Sequence, residues 1–231
     1  MADQQQSPCR ILVMASGNGS NFQALIDNVA APEGRIPRSR IVRLVVNRAK
    51  AYATTRAERA GIPWEYFNLI SNGFLAKGEK DEARVRDARE RYDAALAEKV
   101  LGAPEGERPE LVVLAGWMHV FGRTFLEPLE KVGIKVINLH PALPGQYDGA
   151  GAIERAFEDF KAGKITRTGI MVHYVVLKVD RGDPILVREI EFQEGDELAQ
   201  VEERIHSHEH ELIVEATAKV VREILEARGG K

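Results

Sequence analysis

The chain has 231 residues, 44% of them hydrophobic and 29% charged, which is enough for a full hydrophobic core in one large domain or two small ones. Its formal net charge of -3 excludes general binding to nucleic acids, because no excess of basic residues is available to neutralise a phosphate backbone. The single cysteine, Cys9, excludes an internal disulfide framework and a cysteine-rich metal site.

The sequence shows no sign of a targeting or membrane-spanning segment. Residues 1–8 are polar and lack the apolar core of a signal peptide. No apolar run approaches the length that crosses a membrane. We therefore expect a cytoplasmic protein.

Strand and helix patterns alternate in the first half of the chain. Residues 10–15 (RILVMA) form a continuous apolar run, as expected for a strand buried on both faces, and a glycine loop follows at residues 16–21 (SGNGSN). Apolar residues then recur at helical spacing from Phe22 to Val29. Similar patterns predict strands at 41–46 and 64–67, helices at 51–60 and 81–101, and a polar loop at 68–80.

The second half continues the alternation and ends differently. The patterns predict strands at 111–115 and 134–138, helices at 121–129 and 153–162, a loop at 139–151, two strands at 168–176 and 184–192 around a turn at 180–183, and a long helix from 198 to 224. This order predicts an α/β fold: a Rossmann-like open, mostly parallel sheet with helices on both faces. Antiparallel strands near the C-terminal end and a long C-terminal helix complete the predicted fold.

The glycine loop at residues 16–21 has the properties of a phosphate site. It lies between a strand and a helix, where free backbone amides and the helix dipole favour an anion. It departs from the dinucleotide fingerprint, because Phe22 stands at the position of the third glycine and Asn47, not an acidic residue, follows the next strand. It also lacks the Gly-Lys-Ser/Thr ending of a P-loop. A monophosphate is therefore favoured over NAD or ATP, with a plain glycine turn as the alternative.

A second candidate site follows the strand at 134–138. Asn138 and His140 are two residues apart, so their side chains point to the same side of an extended chain. Pro141 restricts His140 to extended conformations. An amide and an imidazole held side by side could polarise a carbonyl and manage a proton. An Asn and a His that only hydrogen-bond a loop would give the same pattern.

Three segments should meet at one edge of the sheet. Ligands of open parallel sheets bind outside the C-terminal strand ends, and the glycine loop, residues 116–119 and the Asn138/His140 pair all follow strands. Asp180, in the predicted turn, could join them. A carboxylate there would orient the His140 imidazole and favour its protonated form. Taken alone, Asp180 is also simply a good turn residue.

Four segments, in this order, resemble the glycinamide ribonucleotide formyltransferase family: residues 11–26, 113–118, 138–141 and 179–182. The resemblance runs from Arg10 to about Val221. Residues 142–149 (ALPGQYDG) differ from the Ser-Leu-Leu-Pro of many bacterial members and look like the fungal variant of the small monofunctional form. The resemblance implies direct transfer of the formyl group of 10-formyltetrahydrofolate to the amine of glycinamide ribonucleotide, in de novo purine biosynthesis.

The resemblance also implies roles for individual residues. The catalytic trio would be Asn138, His140 and Asp180. The ribonucleotide would be bound by Gly19, Ser20, Asn21 and Glu209. The folate would be bound by Arg89, Met118, His119, Val120 and Phe121. No metal and no covalent enzyme intermediate is needed, because the amine attacks the formyl carbon directly.

The resemblance further implies a single formyltransferase domain over residues 1–231. A half at about 10–110 would bind the ribonucleotide phosphate, and a half at about 111–225 would carry catalysis and folate binding. Two small molecules would be its partners, with no nucleic acid and no membrane. The protein would be a monomer or a homodimer.

Other functions remain open at this point. A formyltetrahydrofolate hydrolase shares the trio and uses water as the acceptor, but it would not need the phosphate loop, and its relatives usually carry a regulatory domain. Methionyl-tRNA formyltransferase resembles the middle of the chain, but its extra C-terminal domain and basic surface are missing. A non-catalytic nucleotide- or folate-binding protein on the same fold would bind ligands without turnover.

Two remaining patterns carry weaker hypotheses. His206 and His210 share a helix face at i, i+4, which weakly suggests a metal site, although the surrounding residues do not form a zinc-protease motif. The arginines at positions 84, 86, 89 and 91 have acidic neighbours, which is typical of a solvated helix face.

Overall fold

The computed structural model describes residues 7–30 and 34–229, so most of the polar segment expected at residues 1–8 lies outside the described residues. Strands and helices alternate along the chain, as predicted. The strands are β1 (Cys9–Ala15), β2 (Ser39–Val46), β3 (Trp64–Tyr66), β4 (Leu111–Leu114), β5 (Lys135–His140), β6 (Arg167–Tyr174) and β7 (Pro184–Glu191). The helices are α1 (Ser20–Ala30), α2 (Ala53–Arg59), α3 (Glu82–Leu101), α4 (Arg123–Lys131), α5 (Ala152–Lys161) and α6 (Leu198–Gly229).

The strands form one sheet in the order β3-β2-β1-β4-β5-β6-β7. The first five of these are parallel, whereas β6 runs antiparallel to both β5 and β7. The predicted Rossmann-like fold is confirmed, including the antiparallel strands and the long final helix of 32 residues. In the described part of the chain, no helix is long and apolar enough to cross a membrane.

Two hydrophobic cores cover the sheet, because alternate residues of the central strand β1 point to opposite faces. On one face, Ile11 and Val13 pack with residues of α1 and α6. On the other face, Leu12 and Met14 pack with residues of α3 and α4. None of these four side chains is more than 2% exposed. Burial on both faces explains why the sequence of β1 is an uninterrupted apolar run.

The strand that carries the second candidate site is longer than predicted. β5 continues through His140 instead of ending at Asn138, because β6 pairs with it as far as the His140–Met171 partners. The parallel neighbour β4 stops pairing at Leu114, so beyond that level the antiparallel strand supplies the hydrogen-bonding groups. Asn138 and His140 are therefore both held by a strand, and the loop expected from Leu139 begins after His140.

The helix predicted at 121–129 also begins later, at Arg123. Gly122 is extended, with φ of -96° and ψ of -171°. Gly122 is the N-cap: its carbonyl accepts a hydrogen bond from the amide of Leu126, and its own amide donates to a side-chain oxygen of Asp93. This contact belongs to the site described below.

The connection from β6 to β7 packs closely on the end of β6. The amide of Tyr174 donates a 3.1 Å hydrogen bond to the carbonyl oxygen of Asp183. Gly182 lies against the Tyr174 carbonyl, where an added Cβ would overlap the oxygen. Asp180, two residues earlier, has a left-handed backbone with φ of 54°. A residue without a side chain at position 182 therefore allows the Asp180 turn to pack against β6.

Gly182→Ala should destabilise the protein. The added methyl group has no space beside the Tyr174 carbonyl, so the backbone must shift, at an expected cost of about 2–3 kcal/mol. For a chain of this size, that cost corresponds to a fall in melting temperature of roughly 5–10 °C. The control is Gly106→Ala, where an added Cβ meets nothing within 4 Å. Equal melting temperatures of the two variants, followed by circular dichroism, would contradict the close packing.

Candidate active site

The site is built on β5, where Asn138 and His140 are two residues apart on an extended strand. His140 is 3% exposed, and Asn138 is partly buried. Pro141 follows directly and favours the extended backbone of His140. The strand therefore presents an amide and an imidazole in a fixed relative position.

Asp180 contacts both of these side chains from the β6–β7 connection. Its Oδ2 lies 3.4 Å from Nδ1 of His140. Its Oδ1 accepts a 3.4 Å hydrogen bond from Nδ2 of Asn138. One carboxylate thus joins the amide and the imidazole, and the three residues singled out in the sequence lie together. The left-handed backbone of Asp180 is uncommon outside glycine, and the short polar side chain of aspartate tolerates it.

His173 is a fourth member of this cluster and was not predicted. It lies on β6 directly opposite Asn138 and is 1% exposed. Its Nε2 lies 3.4 Å from Oδ1 of Asp180 and 3.3 Å from Nδ2 of Asn138. Its Nδ1 lies 2.9 Å from the carbonyl oxygen of Tyr174. A histidine inside the apolar run at 168–176 was the available signal, but its partners depend on the register between β5 and β6.

The loop after β5 supplies two backbone groups to the cluster. The amide of Gly149 donates a 2.8 Å hydrogen bond to Oδ2 of Asp180, and the carbonyl oxygen of Gln146 lies 3.3 Å from Nε2 of His140. A neutral imidazole has one N–H, and the charged carboxylate is the stronger acceptor, so we assign that proton to Nδ1. Nε2 then holds the lone pair and donates to Gln146 only when the ring is protonated.

Asp180 is the charged member of the cluster. Burial alone would raise the pKa of its carboxyl group. The contact with His173, the hydrogen bond from the Gly149 amide and the positive charges that His140 and His173 carry in their protonated forms more than offset burial and hold the pKa below the usual 3.8. The carboxylate is therefore ionised at neutral pH.

The His140 imidazole is neutral at the same pH. Burial is the largest influence on its pKa and lowers it below the usual 6.5. Asp180 and the Gln146 carbonyl act in the opposite direction without reversing the shift. The expectation that a carboxylate there would favour the protonated form of His140 agrees with the direction of the Asp180 effect, while desolvation acts more strongly in the opposite direction.

The glycine loop joins β1 to the start of α1. Gly19 has φ of 74°, and an added Cβ would lie 2.7 Å from Cβ of Ala53. Both features require glycine at this position. The first helical hydrogen bond runs from the amide of Gln23 to the carbonyl of Gly19, so the amides of Ser20 and Asn21 precede the hydrogen-bonded helix. Such amides are suited to binding an anion.

A buried carboxyl group from α6 lies behind this loop. Nδ2 of Asn21 donates a 3.1 Å hydrogen bond to Oε2 of Glu209, and the two residues are 8% and 6% exposed. Burial is the largest influence on Glu209 and raises its pKa above the usual 4.5. Among the described residues, no donor reaches the buried Oδ1 of Asn21. Asn21 and Glu209, which lie far apart in the sequence and were both expected to bind the ribonucleotide, are therefore in direct contact.

The glycine loop is also tied to the segment after β4. Oγ of Ser16 accepts a 2.8 Å hydrogen bond from the amide of Met118. The amide of Ser16 donates a 3.0 Å hydrogen bond to the carbonyl of Gly116. Because β1 and β4 are adjacent in the sheet, two of the three segments expected at this edge lie side by side.

Residues 118–121 alternate between solvent and core. Met118 and Val120 are 59% and 49% exposed, whereas Phe121 is 4% exposed. Nη2 of Arg89, on α3, donates a 3.1 Å hydrogen bond to the carbonyl of Val120. Arg89 and residues 118–121, all of which were expected to bind the folate, are therefore in contact. A groove of about 550 Å³ runs beside them, lined by residues of α3 and by Val120 to Gly122.

Asp93 holds this segment from the inside and was not predicted. Its Oδ1 lies 2.6 Å from Nε2 of His119, and its Oδ2 accepts a 2.6 Å hydrogen bond from the amide of Gly122. The side chain of His119 is thus directed to a buried carboxyl group. A signal was present in the sequence, because Asp93 falls beside Tyr92 and Leu96 on the apolar face of α3, where a charged residue needs a partner.

Two further sequence hypotheses, and the single cysteine, concern residues outside this site. Across residues 7–30 and 34–229, no three histidine, cysteine, aspartate or glutamate side chains are grouped as a metal site would require, those of His206 and His210 included. Cys9 is fully buried in the core, and burial raises the pKa of its thiol to about 12. The exposed Arg84 and Arg91 form ion pairs of 3.2 and 2.9 Å, as expected for a solvated helix face.

Comparison with known proteins identifies relatives over most of the chain. Residues 9–217 match the family model described as formyl transferase. A phosphoribosylglycinamide formyltransferase from Schizosaccharomyces pombe is 42% identical over 212 residues, which cover 91% of this chain and 96% of that protein. Its namesake from Saccharomyces cerevisiae is 41% identical over 221 residues, which cover 93% and 98%. The crystal structure of phosphoribosylglycinamide formyltransferase from Bacillus halodurans superimposes with a TM-score of 0.74 at 25% identity, covering 92% of this chain and 95% of that one.

Asp180→Asn should lower the pKa of His140 further. The amide keeps the shape of the carboxyl group and removes the negative charge that favours the imidazolium. An NMR titration of the His140 ring in both proteins measures the change. The control Glu189→Gln removes one negative charge from an exposed ion pair on β7 and should leave the pKa of His140 unchanged. Titration of His140 at an unchanged or higher pH in Asp180→Asn would show that the carboxylate does not act on the ring.

Proposed function

The chain belongs to the formyl transferase family, and from this premise we propose that it transfers the formyl group of 10-formyltetrahydrofolate to the amine of glycinamide ribonucleotide, in purine biosynthesis. The observation that carries the proposal is the contact of one largely buried carboxylate, Asp180, with both Asn138 and His140 at 3.4 Å. An ionised carboxylate, a neutral imidazole and an amide together supply what formyl transfer requires of the protein: charge stabilisation and movement of a proton.

Asn138 stabilises the negative charge that develops on the formyl oxygen. A preorganised N–H donor in a buried site lowers the energy of such a state, and removal of one donor typically costs about 10²–10³ in kcat. Nδ2 of Asn138 carries two N–H groups. Its contacts with His173 and Asp180, at 3.3 and 3.4 Å, are longer than good hydrogen bonds, so the amide is free to turn one N–H toward the substrate.

His140 moves the proton. The attacking amine loses a proton and the departing nitrogen gains one, so transfer needs a group that accepts the proton and returns it. Neutral His140 offers the lone pair on Nε2. Once the ring is protonated, its two N–H groups face acceptors on Asp180 and on the carbonyl of Gln146. Asp180 stabilises the imidazolium, so its charge acts mainly in the transition state and little in substrate binding.

The folate supplies the formyl group, and the residues beside α3 fit such a ligand. The exposed side chains of Met118 and Val120 offer apolar surface for a ring. Arg89 uses one N–H group on the Val120 carbonyl and keeps others for a carboxylate. His119 and Phe121 support the segment from the core side. The adjacent groove of about 550 Å³ lies in the range of small-molecule sites.

The ribonucleotide binds at the glycine loop. The amides of Gly19, Ser20 and Asn21 hold its phosphate at the start of α1. Glu209, in contact with Asn21, faces its polar groups. In this proposal, residues about 10–110 form the phosphate-binding half of one formyltransferase domain, and residues about 111–225 form the catalytic and folate-binding half.

The direct test is a formyl-transfer assay with the purified protein, glycinamide ribonucleotide and 10-formyltetrahydrofolate. We expect formylated ribonucleotide when both substrates are present. A reaction without ribonucleotide measures hydrolysis and should stay near the uncatalysed rate. Equal loss of the formyl group without the acceptor would identify a hydrolase. Binding of both ligands without turnover would identify a non-catalytic protein, and either result would contradict the proposal.

Arg89→Gln should weaken folate binding and spare the ribonucleotide. The variant removes the positive charge offered to a carboxylate, and we expect the Kd for the folate to rise about tenfold, as for a hydrogen bond to a charged group. The control is Arg91→Gln, two residues further on α3, whose guanidinium is paired with Asp87. Isothermal titration with each ligand measures both constants. Equal losses for the two ligands would point to misfolding and remove the case for a folate site at Arg89.

A further inference from the structure

Asp180 and His140 depend on the backbone of one loop. The Gly149 amide donates to Asp180 at 2.8 Å, and the Gln146 carbonyl faces His140 at 3.3 Å. Both groups lie in residues 145–151, here called the site loop, which contain no helix or strand. Side chains that bind the site loop therefore help to determine its path.

One ion pair joins the site loop to the turn that carries Asp180. Nε of Arg181 donates a 2.8 Å hydrogen bond to Oδ2 of Asp148. Arg181 directly follows Asp180, and Asp148 directly precedes Gly149. The ion pair consequently runs alongside the Gly149–Asp180 hydrogen bond and links the same two segments.

Partial burial of Asp148 distinguishes this pair from a fully exposed ion pair. The side chains of Arg181 and Asp148 are 38% and 33% exposed, and Oδ1 of Asp148 is buried with no donor among the described residues. The guanidinium of Arg181 also packs on Gly145, where an added Cβ would lie 3.2 Å from Nη1. Loss of Arg181 would leave a partly buried carboxylate uncompensated, which costs more than breaking an exposed pair.

The opposite side of the site loop is fixed separately. Nη2 of Arg155, on α5, donates hydrogen bonds of 2.7, 2.8 and 3.0 Å to the carbonyl oxygens of Tyr147, Asp148 and Ala150. Arg155 anchors the loop to α5 and does not reach the Asp180 turn. Among the residues that the structure describes, Arg181–Asp148 is therefore the ion pair that connects the loop to that turn.

We propose that the Arg181–Asp148 ion pair positions the catalytic carboxylate: it docks the site loop on the Asp180 turn and so sets the geometry in which Asp180 meets His140. The inference rests on the proposed formyl transfer. Neither residue touches the reacting atoms. Both act through their chain neighbours, and the Asp148 charge also favours the protonated form of His140 directly. The left-handed backbones of Asp180 and Tyr147, with φ of 54° and 50°, fit this role, because such conformations persist only where the surroundings hold them.

The test compares Arg181→Gln, Asp148→Asn and the double variant with the wild type in the formyl-transfer assay. Each single variant should lower kcat about tenfold, between the few-fold value of an exposed ion pair and the hundredfold cost of an ångström of misplacement. KM for both substrates should stay within about twofold. The double variant should lose no more than either single variant, because one link is broken in all three. Arg181→Lys should recover most of the lost kcat.

The matched control is Arg167→Gln, which removes an arginine from an exposed 3.0 Å ion pair with Glu189 on neighbouring strands. It should leave kcat unchanged. An unchanged kcat in either single variant of the Arg181–Asp148 pair, or losses that multiply in the double variant, would overturn the inference. A rise in KM in place of a fall in kcat would also overturn it, because it would indicate contact with substrate.

A second measurement separates this inference from the proposed function. Hydrogen exchange of the Gly149 amide, followed by NMR, should speed up about tenfold in Arg181→Gln and stay unchanged in Arg167→Gln, whatever reaction the protein catalyses. A wild type without transfer activity would contradict the proposed function. The exchange rates would still show whether the Arg181–Asp148 pair docks the site loop. Unchanged exchange of Gly149 in Arg181→Gln would overturn the inference.

Discussion

A charged carboxylate is buried beside two histidines, and much of the surrounding structure serves to keep it charged. Desolvation disfavours the ionised form of Asp180, so the carboxylate needs donors at close range. The Gly149 amide, from a loop, donates to it at 2.8 Å, and His173 on β6 and Asn138 on β5 each lie 3.4 Å from it. These elements adjoin because β6 runs antiparallel to β5 and sets His173 opposite Asn138. The change from parallel to antiparallel pairing at β5 is thus the step in the topology that creates the site.

The same burial determines the state of His140. Desolvation lowers the pKa of the ring and the Asp180 charge raises it, and the first effect is larger in the free protein. In the proposed mechanism the balance changes during formyl transfer, because the negative charge that develops on the substrate oxygen adds to that of Asp180. Electrostatic interactions of this kind are stronger where water is excluded. A neutral imidazole that becomes basic as the reaction proceeds is suited to accept the amine proton and return it to the leaving nitrogen.

The features that were predictable from the sequence rest on local patterns. The apolar run of β1, the glycine loop and the Asn-Leu-His-Pro stretch each carry their own signal, and they led to the correct sheet and to the grouping of Asn138, His140 and Asp180. His173 was not predicted because its contacts depend on the register between β5 and β6. Asp93 was not predicted because its contacts depend on the packing between α3 and the segment after β4. The sequence indicates the direction of the Asp180 effect on the His140 pKa but not the net shift, because desolvation acts in the opposite direction and its size depends on the fold.

The most direct test of this mechanism is kcat against pH for the wild type and Asp180→Asn, with the dissociation constants of both substrates measured alongside. A carboxylate that stabilises the imidazolium predicts a loss of kcat on the order of 10²-fold, as for a partner in general acid–base catalysis. The acid limb of the profile should move to lower pH, because the pKa of His140 falls when the charge is removed. Both substrates should bind nearly as before, since the charge acts mainly in the transition state. Near-normal turnover with an unshifted profile would contradict the mechanism and leave Asp180 an ordinary turn residue.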